Sequence, residues 1–72
     1  MDQLTVAEKL RIILRRRGMT IGDLADAMGQ SRQNLSNKMS RDKFQEADIK
    51  AAAAALGCSV DITFRLPDGT EV

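Results

Sequence analysis

The sequence predicts a mainly helical domain closed by a short C-terminal β-strand or hairpin. Three observations lead there. From Val6 to Leu56, apolar residues recur at the three- to four-residue spacing of helices with one buried face. Capping residues (Thr5, Thr20, Ser31) and glycines (Gly18, Gly29, Gly57) divide that stretch into short segments. From Val60 onward the period becomes two, with Val60, Ile62, Phe64 and Leu66 alternating with Asp61, Thr63 and Arg65.

The first helix opens on Thr5 with Glu8 three positions on, a pair able to satisfy two backbone donors that a helix start leaves free. Ala7, Leu10 and Leu14 share one face, flanked by Val6 and Ile13, and Gly18 ends the helix. Arg15, Arg16 and Arg17 occupy its last turn, where the helix dipole favours cations. A second, short helix begins at Thr20, with Asp23 in the same relation, and buries Ile21, Leu24, Ala25 and Met28 before Gly29. Ser31 then caps a third helix over about residues 31–40, whose apolar anchors are Leu35 and Met39 alone. A helix so poor in apolar surface is displayed outward rather than packed all round. After a polar loop over residues 40–45 that contains Phe44, a fourth helix runs from about Glu46 to Leu56, with Ile49, Ala52, Ala53 and Leu56 inward. Pro67-Asp68-Gly69 reads as a turn, after which Thr70-Glu71-Val72 returns as a short second strand. An isolated hairpin is marginal in water, so its apolar face needs a cover from the helices or from a second copy. The expected division is therefore 1–57 for the helical unit and 58–72 for the strand or hairpin.

Composition narrows the function. Hydrophobic residues make up 43% and charged residues 29% of the 72, the balance of a folded globular domain. The longest apolar run, Ala51–Gly57, is far below the ~20 residues that span a bilayer, and Met1 leads into a polar, acidic start without a signal peptide. A cytoplasmic protein without membrane contact is expected. With no histidine and only Cys58 as a thiol, the commonest general base, the commonest metal ligand and any disulfide or thiolate cluster within the chain are missing. Enzymatic activity, a metal site, a cofactor and a small-molecule ligand are therefore not expected. Net charge is only +1, yet its distribution is uneven. Residues 9–17 carry Lys9, Arg11, Arg15, Arg16 and Arg17 without an acid, and residues 30–43 set Arg32, Lys38, Arg41 and Lys43 against Asp42. Residues 44–72 are acidic, with Glu46, Asp48, Asp61, Asp68 and Glu71 against Lys50 and Arg65.

Two short helices joined through Gly29, the second polar and capped by Ser31, form a unit that can lay one helix in the major groove of DNA. From Thr5 to Leu56 the chain resembles the Cro/repressor-type (XRE-like) helix-turn-helix proteins. Ala25 stands at the helix crossing where that family needs a small residue, Gly29 takes the turn, and Leu24, Met28 and Leu35 match its packing positions. Gln30 and Lys38 depart from it, standing where a small or aliphatic residue is usual. The resemblance implies a four-to-five-helix, lambda-repressor-like bundle that binds double-stranded DNA. It places base contacts at Arg32, Gln33, Ser36 and Asn37. Their chemistry agrees: arginine forks onto guanine, and glutamine or asparagine pairs two-pronged with adenine. Thr20 and Ser31 at helix N-termini, with Lys38, Arg41 and Lys43, suit phosphate oxygens, although each also reads as an ordinary cap or solvated charge.

One reading helix cannot overcome the ~10⁶–10⁹ competing sites of a genome, and such proteins pair two helices about 34 Å apart. The expected function is a small transcriptional regulator, a repressor by analogy, working as a homodimer. Val60, Ile62, Phe64 and Leu66 are its expected interface. The competing reading is a protein-interaction module, antitoxin-like or adaptor-like, that engages a protein partner through the C-terminal strand.

Overall fold

The computed structural model describes residues 4–72; the polar start at residues 1–3 lies outside them. Four helices follow in order among the described residues: α1 (Val6–Arg17), α2 (Ile21–Met28), α3 (Arg32–Arg41) and α4 (Glu46–Ala55). Among the described residues the bundle thus has four helices, within the expected four to five, and the reading helix begins one residue after its cap.

The helix starts are set by the residues read as caps. Thr5 Oγ1 accepts from Glu8 N at 3.1 Å while Glu8 Oε1 accepts from Thr5 N at 2.9 Å. Thr20 and Asp23 repeat the exchange at α2, at 3.1 and 2.9 Å. Ser31 Oγ accepts from Asn34 N at 3.1 Å and starts α3 without a reciprocal partner.

The stops share one motif. Each helix closes with two backbone bonds, one of them spanning six residues: Met19 N to Leu14 O at 2.9 Å, Gln30 N to Ala25 O at 3.0 Å, Lys43 N to Lys38 O at 3.1 Å and Cys58 N to Ala53 O at 2.8 Å. The ring requires a left-handed residue at its corner. Gly29 supplies it between α2 and α3 with φ 74°, and Asp42 supplies it after α3 with φ 51° despite its side chain.

The core is built from Ala7, Leu10 and Leu14 of α1, Leu24 and Ala25 of α2, Leu35 and Met39 of α3, and Ala52 and Leu56 at the end of α4. Half-buried Ile13, Ile21, Met28 and Phe44 pack around it. Ala25 is fully buried at the centre. Ile49 and Ala53, expected inward, are half-buried.

The tail departs from expectation. No strand forms over Val60–Leu66; the ladder is one isolated antiparallel bridge between Arg65 and Glu71. Val72 N donates to Phe64 O at 2.9 Å, Leu66 N donates to Thr70 O at 2.8 Å, and the Arg65 guanidinium meets Glu71 at 3.0 Å. The expected half-burial also fails, with Ile62 46% and Phe64 73% exposed. The physical reason is the same for both. Two short segments without a third strand or a helix face gain too little burial to extend a ladder.

Candidate nucleic-acid interface

α3 is fastened on one face and open on the other. Leu35 and Met39, four residues apart, are 0% and 2% exposed and hold the helix against α2 within the shared core. The opposite face carries Arg32, Gln33, Ser36 and Asn37, all exposed, which together line one shallow recess. This spacing follows from the helix itself, since positions 32, 33, 36 and 37 recur on one side of a 3.6-residue turn. Among the described residues, the side-chain hydrogen bonds of this segment belong to Ser31, Asn34, Lys38 and Ser40 instead. The four side chains of the quartet thus make no hydrogen bond among the described residues.

The beginning of the helix is supported from two directions. Asn34 Nδ2 donates to Gln30 Oε1 at 3.3 Å, so Gln30, unusual for its position, braces the first turn. A β-carbon on Gly22 would lie 3.6 Å from Arg32 Cδ and 3.6 Å from Thr20 Oγ1. The aliphatic stem of Arg32 therefore runs along the start of α2, next to the Thr20 cap. Thr20 and Ser31 sit at two helix N-termini, where free N–H groups and the helix dipoles favour anions.

The cations separate into two kinds. Arg41 and Lys43 are exposed on either side of Asp42. Lys38 is not free: its Nζ lies 2.8 Å from Asp48 Oδ1, with the two side chains 27% and 15% exposed. The ion pair ties α3 to the first turn of α4. The Lys38 ammonium, read from the sequence as a phosphate contact, thus also has an acidic partner within the chain. Asp48 also accepts from Gln45 N at 2.9 Å. The hydrogen bond from Lys38, then that from Gln45, hold its carboxyl below the usual aspartate range.

Asp42 is the residue that sequence reasoning missed. Its Oδ1 accepts from Ala7 N at 3.0 Å, across 35 positions of the chain. Only a left-handed aspartate hinted at it, and that conformation is not visible in a sequence.

Among the described residues no group of three or more metal-ligating side chains is found, and no helix is long and apolar enough to cross a membrane. A short capped helix, a left-handed glycine corner and a second helix with an anchored inner face and a polar outer face define a helix-turn-helix protein. A family model for the Cro/C1-type HTH DNA-binding domain matches residues 9–61, and the chain belongs to that family. No curated protein and no solved structure matches it.

Proposed function

We propose that the chain is a sequence-specific transcriptional regulator, a repressor in its simplest mode, that acts in the cytoplasm and binds double-stranded DNA as a homodimer. The observation that carries this reading is the unengaged quartet on α3, displayed by a helix whose opposite face is buried. Arg32, Gln33, Ser36 and Asn37 read base edges in the major groove, with about 1–3 kcal/mol of discrimination for each two-pronged pair. Thr20, Ser31, Lys38, Arg41 and Lys43 fix the register on the phosphates. Residues 58–72 form the dimerisation element, with Val60, Ile62, Phe64 and Leu66 meeting their mates and covering apolar side chains that a single copy leaves exposed. The same exposed tail favours a second reading, in which an antitoxin-like or adaptor-like chain presents it to a different protein.

Selection of binding sites from a random duplex pool tests both. Wild type and an Arg32→Ala/Gln33→Ala/Asn37→Ala variant are compared at one near-physiological salt concentration. A two-fold symmetric site enriched by wild type alone is the expected result. If neither chain enriches a sequence, the regulator reading is lost and the protein-partner reading takes its place.

A further inference from the structure

We propose that Asp42 is the positioning residue of the α3–α4 loop, holding Arg41 and Lys43 in place by a clamp onto the start of α1. The inference rests on the DNA-binding reading only for what those two cations touch; the clamp itself rests on geometry. Asp42 serves two helix ends at once. Its backbone turns left-handed, donates to Met39 O at 3.3 Å and closes α3. Its carboxylate accepts from Ala7 N, one of the first N–H groups of α1, which have no partner within their own helix. The neighbouring N–H, that of Glu8, goes to Thr5, so the two acceptors divide the start of α1 between them.

This arrangement has an electrostatic result. Asp42 is the one acid among residues 30–43. A carboxylate facing DNA phosphates would oppose binding, whereas one bonded to the Ala7 amide is turned to the α1 dipole, which favours it. The corner then offers the charges of Arg41, the last residue of α3, and of Lys43, and the Asp42–Ala7 bond ties the residue between them to α1. Lys43 also lines a shallow recess with Asp42, Phe44, Gln45 and Asp48.

The test compares the full chain with Asp42→Gly and Asp42→Asn. Glycine keeps the left-handed corner but removes the acceptor, while asparagine tolerates the corner and keeps an acceptor oxygen. Amide exchange at Ala7 reads the clamp, and the salt dependence of binding to random duplex DNA reads the loop cations. Asp42→Gly is expected to lose protection at Ala7 and to flatten the log–log salt slope by about one for each phosphate that the loop no longer neutralises. Asp42→Asn is expected to restore both. A merely structural role would lower affinity without changing the slope, and that result overturns the proposal. Wild-type protection at Ala7 in Asp42→Gly also overturns it. Wild-type chain that binds no duplex at any salt refutes the DNA reading separately, while the exchange comparison still decides the clamp.

Discussion

The division of α3 into an anchoring and a reading face makes a quantitative prediction for two residues only two positions apart. Leu35 is fully buried and Gln33 is exposed. Truncating a buried leucine to alanine costs about 2.7–5 kcal/mol in lost transfer energy and residual cavity. A core of this size supplies only about 3–5 kcal/mol in total. With about 1 kcal/mol remaining, roughly one molecule in six is unfolded at 25 °C. At a urea dependence of about 1 kcal/mol per molar, the unfolding midpoint of Leu35→Ala falls by about 3 M, read by far-ultraviolet circular dichroism at matched protein concentration. Gln33→Ala is expected to stay within about 0.5 kcal/mol of wild type in the same assay. Its effect belongs to binding, with discrimination reduced by about 5- to 150-fold at the base it reads. A loss below about 1 kcal/mol in Leu35→Ala, or above it in Gln33→Ala, would refute the assignment of the two faces.

Acid should probe the α3–α4 pair. Because the Asp48 carboxyl is held below the usual range, its contribution to stability is fully present above about pH 4 and is lost as pH falls through the lowered value. Lys38→Met removes the chief cause, so stability below pH 4 should depend less steeply on pH than in wild type; an unchanged slope in urea titrations at several pH values contradicts the pairing. For the tail, Phe64→Asp places a charge on the most exposed of the four proposed interface residues and should shift sedimentation toward the monomer, with the helix content kept. Unchanged self-association would remove the tail from the interface.

What could be read directly from the sequence was local. Thr5 with Glu8, Thr20 with Asp23, and Gly29 act within a turn of their own positions, so their signals survive in a string of letters. The buried sets Leu10/Leu14, Leu24/Ala25 and Leu35/Met39 were visible for the same reason, as a helical period. The alternation of Val60–Leu66 misled because period two shows only that a segment could present one face to a partner. Whether a partner strand exists is a separate fact, and among the described residues one bridge is all that forms. The ion pair of Lys38 was not legible because a cation on a polar helix looks alike whether it stands alone or reaches across to another helix. Its partner Asp48 lies ten positions on, beyond a loop, and the Asp42–Ala7 bond spans 35. Neither separation is one that a helix repeat can reveal.

The shared closing ring of the four helices bears on how the reading surface is specified during folding. Each ring is completed by atoms within six residues of one another, so it can form before distant parts of the chain meet. The boundaries of α3 are consequently fixed by its neighbours in sequence, with Ser31 at one end and the Asp42 corner at the other. A slip of even one residue rotates a helix by about 100°, which would turn Arg32, Gln33, Ser36 and Asn37 off the displayed face and present another quartet. Local closure thus guards the identity of the displayed letters as well as the stability of the helix that carries them.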